Sequence, residues 1–262
     1  MSVTADLGYG LPNDWDQAQR RFELLAACHD AASQRRAAAL GVGPGWRCLD
    51  AGAGQGSFAR WLASQVGARG HVVAADLDVT LMADLDAAAN VEVRQTDLTT
   101  DELPRAAFDL VHTRLALIHI ADRDELLPRL AAAVRPGGVL LLEEDDSYPV
   151  LATATGDYRA GWDVFLQAMT GGGTDGEWAR DLPERLGALG LVGVDAEVRP
   201  QFFRGGSDPA RFWSLTWLQA RERAVSIGAD VQALDRGRAI LEDPARWFHG
   251  PAMIAAWGRR PG

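Results

Sequence analysis

The chain of 262 residues contains no lysine, so all 26 of its basic residues are arginine. That absence removes several chemistries at once. A Walker A loop needs its Lys on the phosphates, a pyridoxal enzyme needs a Schiff-base Lys, and the short-chain dehydrogenase pattern needs a Tyr followed by a catalytic Lys. Cysteine is nearly as scarce. Cys28 and Cys48 stand without any CxxC pattern, which leaves no basis for a disulfide framework, an iron–sulfur cluster or a thiolate zinc site, and both are expected to be buried, inert thiols. No HExxH or other close metal-ligand spacing occurs among the five histidines, so no required metal is expected. No apolar run approaches the roughly 20 residues that span a bilayer. The N-terminal stretch MSVTADLGYGLPNDWD has neither a basic flank nor an apolar signal segment, and a cytoplasmic protein with no membrane partner is expected. A formal charge of −10 with no basic stripe lacks the electrostatic footprint of phosphate-backbone binding, so nucleic acid is not an expected partner.

With 47% hydrophobic content the chain can bury a sizeable core. Residues 12–40 carry Trp15, Phe22, Leu25 and Ala26 at helical spacing and end at Gly41, which assigns residues 1–44 to N-terminal helices and residues 45–262 to the main domain. In that domain short apolar runs end in acids or turns: Trp46–Leu49 before Asp50, His71–Ala75 before Asp76, Val91–Thr96 before Asp97, then Phe108–Thr113 and Val139–Leu142. Helical segments are expected at 57–66, 79–89 and 122–134. Such alternation predicts an α/β fold, a doubly wound, mostly parallel sheet built from right-handed βαβ units.

After residue 145 the rhythm breaks at a turn-rich stretch, Asp145, Asp146, Ser147 and Pro149. Helical insertions are expected near 147–177, closing on Gly171-Gly172-Gly173, and near 205–245, together forming a substrate lid. A core helix at 178–189 and strands at 192–198 and 253–257 complete the pattern. Trp162, Trp213, Trp217 and Trp247 lie in or near the insertions, where each either walls a pocket or packs a helix on the sheet.

The chemistry-bearing constellation is Asp50 to Gly56 with Asp76 and Asp97, because the carboxyl ends of successive strands face one crevice in such a sheet. Gly52 and Gly54 permit a tight turn and close approach of backbone to ligand, and Gly56 lets the following helix sit near the strand. Asp76 is placed to accept hydrogen bonds from two ribose hydroxyls, and its charge repels a 2′-phosphate. A nucleoside cofactor follows.

LDAGAGQG (49–56), AADL (74–77), FDLVHTRLALIHI (108–120) and RPGGVLLLEEDD (135–146) resemble, in order and spacing, the class I, Rossmann-like S-adenosylmethionine-dependent methyltransferase family of small-molecule, natural-product type. LPERLGALGLVGV (182–194) and MIAAWGRRP (253–261) resemble its C-terminal half less specifically. The resemblance implies a seven-stranded sheet whose last strand is antiparallel, with S-adenosylmethionine as cofactor and S-adenosylhomocysteine as product. It places the methionine moiety against Asp50, Gly52 and Gly54, the ribose on Asp76, the adenine near Leu77, Asp97 and Leu98, and Arg114 near the methionine carboxylate or the substrate, with Ala53 and Gly56 of the loop also among the cofactor-binding residues. The implied function is methyl transfer to a small molecule in natural-product biosynthesis; the alternative is a protein of this fold that uses the bound sulfonium in a non-methylating reaction such as cyclisation. An NAD-dependent oxidoreductase is disfavoured by glycine spacing GxGxG instead of GxGxxG and by the missing Tyr and Lys pair. If a base is needed for a hydroxyl acceptor, His112, His119 and Glu143 are the candidates, with Glu144 and Asp145 beside them at the carboxyl ends of the fourth and fifth strands. The competing reading makes His119 a satisfied core histidine and Glu143–Asp146 a solvated strand end. A homodimer is the default assembly for a soluble enzyme.

Overall fold

In the computed structural model, residues 11, 13–170 and 173–262 are described; the first ten residues, Pro12, Gly171 and Gly172 lie outside them. Seven strands, β1 (Arg47–Ala51), β2 (His71–Asp76), β3 (Val91–Gln95), β4 (Phe108–Arg114), β5 (Val134–Asp146), β6 (Val192–Arg204) and β7 (Trp247–Arg259), form one sheet in the order β3-β2-β1-β4-β5-β7-β6. The first five are parallel, and β7 runs antiparallel between β5 and β6. The sheet is seven-stranded and mostly parallel, with an antiparallel last strand, as expected. Its order reverses between β1 and β4, so the crevice of a doubly wound sheet opens at the ends of those two strands.

Alternating side chains of each strand feed two separate cores. Leu49, Val73, Val111, Leu140 and Leu142 meet α3 (Arg123–Ala133) and α6 (Leu182–Ala188) on one face. Cys48, Val72, Leu110, Val139 and Leu141 meet α2 (Ser57–Val66) and the end of α1 (Ala18–Ala39) on the other. Strands covered on both faces read as near-continuous apolar runs, and that is why they were visible in the sequence.

A third core lies off the sheet. There α4 (Tyr148–Thr153), α5 (Gly156–Thr170), α7 (Asp208–Ser226) and α8 (Val231–Leu241) pack around Trp162, Phe165, Trp213 and Trp217. Trp217 is fully buried. A Cβ at Gly161 of α5 or Gly237 of α8 would come within 2.6 and 2.8 Å of its ring, so these two glycines are the socket for the indole. Phe203 and Phe248, on the outer halves of β6 and β7, join the same core and tie the helical cover to the sheet.

Four elements differ from expectation. The helix expected at 79–89 is two 3₁₀ turns, Thr80–Met82 and Leu85–Ala87; the Asp78 carboxylate takes the Thr80 N–H at 2.9 Å, an Asx turn that competes with helix formation. The 178–189 helix divides into a 3₁₀ turn, Trp178–Asp181, and α6, with Pro183 in its first turn, a position proline favours. Strands β6 and β7 run well past the apolar runs that announced them, through Pro200 and through Gly250-Pro251, residues that mark an interruption in sequence. Finally, Glu143–Asp146 are not a solvated end or a turn: β5 continues through them, paired with β7 throughout and with β4 at Glu143, and all four are buried.

Candidate functional site

Where β1 ends, the chain turns through Gly52, Gly54 and Gly56, all at positive φ. The N–H groups of Gly52 and Ala53 donate to the Ala75 carbonyl at 2.8 and 3.0 Å, hanging the loop on β2. A Cβ at Gly52 would lie 2.6 Å from the Ala116 methyl, and one at Gly54 would lie 2.7 Å from the Phe22 ring, so neither position accepts a side chain without movement. Gly56 caps α2. The Gly54 N–H donates to Asp76 Oδ2 at 2.8 Å and the Asp78 N–H to Asp76 Oδ1 at 3.2 Å. Asp76 is half-buried, its open side on a cavity. Burial pushes its carboxyl up to about 6 against the pull of those two donors.

A closed ion network lies behind the loop. His112 on β4 meets Asp50 Oδ1 at 2.7 Å through Nδ1 and Glu143 Oε2 at 3.1 Å through Nε2. Burial lowers its pKa, but the two carboxylates outweigh burial and raise it; with a carboxylate at each nitrogen, both carry protons. Glu143 also accepts from Ser33 and Arg36 of α1. Burial raises its carboxyl, yet His112, Arg114 and Arg36 bring it down to about 2. Arg114 donates to Asp30 Oδ1 at 2.7 Å and to Ser33 Oγ at 2.8 Å. This network pins α1 across the ends of β1, β4 and β5. Asp30, Ser33 and Arg36 were not singled out from sequence; their spacing of three on a helix, facing one side, is the signal that could have found them.

A cavity of about 460 Å³ begins at this loop and runs beneath the helical cover. Of the residues expected to hold cofactor, Asp50, Gly52, Ala53, Gly54, Asp76, Leu77, Asp97, Leu98 and Arg114 line it, and Gly56 does not. His112 and His119 line it, and Glu143 does not. His119 has Nδ1 3.1 Å from Thr174 Oγ1, and burial, with Arg21 and Arg123 nearby, lowers it to about 4, so its imidazole is neutral at ordinary pH. Asp97 is held below the usual carboxylate range by the Thr99 hydroxyl and N–H. Beneath the cover Trp162, Phe165, Phe212 and Trp213 form an aromatic wall, and Asp145 and Ser147 are among the polar residues that line the cavity.

Residues 48–138 match the family model described as a methyltransferase domain. That segment is similar to methyltransferase domains. Its strands β1 to β4 and the start of β5 carry the glycine loop and the acids described above. The chain is similar to the ubiquinone/menaquinone biosynthesis C-methyltransferase of Ectopseudomonas mendocina, 33% identical over 111 residues, or 40% of this chain and 43% of that protein. The chain thus spans less than half the length of that curated relative. Among solved structures, the YcgJ protein of Bacillus subtilis superposes with a TM-score of 0.61 at 16% identity, covering 89% of this chain and 100% of that one. A phosphoethanolamine N-methyltransferase of Haemonchus contortus, solved with S-adenosylhomocysteine and phosphomonomethylethanolamine, superposes at 0.57 with 20% identity, covering 96% of this chain and 54% of that one. Both share the fold of the methyltransferase domain and of the sheet that extends it. Among the described residues no helix is long and apolar enough to cross a membrane.

Proposed function

We propose that the protein is an S-adenosylmethionine-dependent methyltransferase acting on a small-molecule acceptor of the kind tailored in natural-product biosynthesis. The observation that carries this reading is the continuity of the cavity, which joins the glycine loop and strand-end acids of the methyltransferase domain to an aromatic chamber under α5 and α7.

The residues present suit the cofactor. Asp76 and Asp97 stand at the ends of adjacent strands with Leu77 and Leu98 beside them on the cavity wall, a polar edge for a ribose next to an apolar slot for adenine. The loop backbone at Gly52 to Gly54, with Asp50 beneath it, would take the methionine moiety. When bound, S-adenosylmethionine supplies an electrophilic methyl group on a sulfonium. The chain's own contribution is then to hold an acceptor in line and to keep water out, the entropic and desolvating share of catalysis. Insertions 147–177 and 205–245 act as the lid, and their enclosure of the chamber limits the acceptor to a small molecule. The test is calorimetric titration with S-adenosylmethionine, S-adenosylhomocysteine and NAD in parallel. Micromolar binding of the first two without NAD is expected; binding of NAD alone, or of none, overturns the reading.

A further inference from the structure

Of the four successive acids on β5, three have a partner for at least one oxygen; Glu144 Oε2 and Asp145 Oδ1 are without one among the described residues, and of these two residues only Asp145 lines the cavity. Glu143 belongs to the ion network, the Glu144 carboxylate takes the N–H groups of Ala116 and Leu117 at 3.3 and 2.9 Å, and Asp146 is held by Arg180 at 2.9 and 3.1 Å. Asp145 differs. It is only 7% exposed, lines the cavity, and its Oδ1 has no hydrogen-bond partner among the described residues. Trp213 of α7, 5% exposed, also lines the cavity, and its Nε1–H is likewise without a partner. An unmade hydrogen bond in a buried site costs on the order of 1–3 kcal/mol, and two such groups of opposite sense in one cavity point to a ligand that serves both.

The surrounding surface is aromatic: Trp162, Phe212 and Phe165 stand 4.5, 5.0 and 6.0 Å from Trp213, centroid to centroid. Flat apolar molecules stack and pack in such a chamber. An ammonium group is a poor match, because the Arg199 guanidinium on β6 acts on Asp145 and offsets its charge. Burial, with Asp146 adding to it and Arg199 opposing it, pushes the Asp145 carboxyl up to about 7. It is therefore not a permanent anion at neutral pH.

We infer that this end of the cavity is the acceptor subsite, and that it recognises a planar, mostly apolar molecule by one hydroxyl, which donates to the Asp145 carboxyl while an oxygen of the same molecule accepts from Trp213 Nε1. The assignment of this molecule as methyl acceptor rests on the methyltransferase reading. The subsite itself rests on the two orphaned groups and the rings around them.

The experiment uses the whole protein saturated with S-adenosylhomocysteine and titrates three probes of one shape by calorimetry: naphthalene, 2-naphthol and 2-naphthylmethylammonium. 2-Naphthol is expected to bind at least tenfold more tightly than naphthalene, with the ammonium weakest. Asp145→Ala should erase the preference for naphthol over naphthalene, and Trp213→Phe should cut it at least threefold while the stacking surface stays; neither should alter S-adenosylhomocysteine affinity. Trp213→Phe keeps the test available if Asp145→Ala does not fold. Equal binding of naphthol and naphthalene, tightest binding of the ammonium, or no probe binding overturns the subsite while leaving cofactor binding intact. Failure of S-adenosylhomocysteine to bind overturns instead the reading on which the acceptor role rests.

Discussion

The two halves of the cavity are built on opposite plans. At the strand ends nearly every polar group is engaged: Asp50, His112, Glu143, Arg36, Ser33, Arg114 and Asp30 form one connected network, and Asp76 is gripped by loop N–H groups. Under the cover the walls are rings, and the polar groups of Asp145 and Trp213 are left without partners. Glu143 and Asp145, two residues apart on one buried strand, show the contrast directly. Burial raises both, yet cations bring Glu143 to about 2 while Asp145 stays near 7. A site fully satisfied in itself positions; a site with unmet bonds waits for a ligand.

That contrast breaks most visibly where a charge is removed from the network. Glu143→Ala leaves His112 and Arg36 buried with one counter-charge fewer, a loss expected to cost about 3–5 kcal/mol and to appear as a lower denaturation midpoint. The same residue gives a pH signature. Its folded pKa, about 2, lies below the ordinary 4.5, so its contribution is complete above about pH 4.5 and is lost as pH falls toward 2. An unchanged midpoint in the variant would mean that the network contributes little to stability.

The matching test of the cover is Trp217→Ala, which empties the socket between Gly161 and Gly237 and is expected to cost about 3–5 kcal/mol. S-adenosylhomocysteine affinity of the folded fraction should change little, because Trp217 is absent from the cavity wall. Trp247, 58% exposed and stacked on Phe202, provides the control: Trp247→Ala should move stability by no more than about 0.5 kcal/mol. If the two substitutions cost the same, the third core is not the source of the cover's stability.

Smaller in energy but sharper in location is Asp76→Ala. Removal of a charge-assisted contact to ribose hydroxyls should weaken S-adenosylmethionine binding by on the order of 1.5–3 kcal/mol, roughly 10- to 150-fold in Kd. Because the free carboxyl sits near 6 and hydroxyl donors favour its charged form, wild-type affinity should fall as pH drops below about 6, and the variant should lose that dependence. Equal affinity of the two proteins by calorimetry would remove Asp76 from the cofactor site.

The unequal legibility of the two halves has the same physical root. Asp50, Gly52, Gly54 and Asp76 stood out because a parallel strand buried on both faces ends abruptly, and a tight turn beneath a strand demands glycine; both constraints are local in sequence. The seven strands and the antiparallel β7 followed from resemblance, and the order of the strands came only with the structure. Asp145 was only one acid in a run of four, since nothing local distinguishes a carboxylate held by Arg180 from one facing a cavity. Likewise Trp162 and Trp213 wall the cavity, Trp217 fills a core and Trp247 lies on the surface, although the four looked alike in sequence. What separates them is which helix crosses which, and that is decided by packing between segments more than 50 residues apart. The helix expected at 79–89 failed for a local reason, the Asp78 turn, visible in principle but outweighed by apolar spacing.

Glu144 provides the smallest effect and links the halves. It is fully buried and holds the turn Leu117–His119, whose Ile118 and His119 line the cavity. Burial pushes its carboxyl up to about 8 from an ordinary 4.5, against the pull of the backbone donors. A folded-state pKa above the unfolded one means that the native protein keeps a proton the unfolded chain has released, so stability falls as pH rises through that interval. Below about pH 6.5, His29 and His119, lowered to about 3 and about 4, act in the opposite sense. The slope is therefore exposed between about pH 6.5 and 8, where a loss on the order of 1–2 kcal/mol is expected. Glu144→Gln keeps the acceptor for Ala116 and Leu117 but cannot ionise. Its denaturation midpoints should be flatter across that interval, with the residual slope left to Asp145, which titrates near 7, and to His112, whose pKa its two carboxylates raise above the ordinary 6.5. A variant as steep as the wild type would show that the turn is held by a carboxylate already ionised at neutral pH, and that both halves of the cavity rest on charge and not on a retained proton.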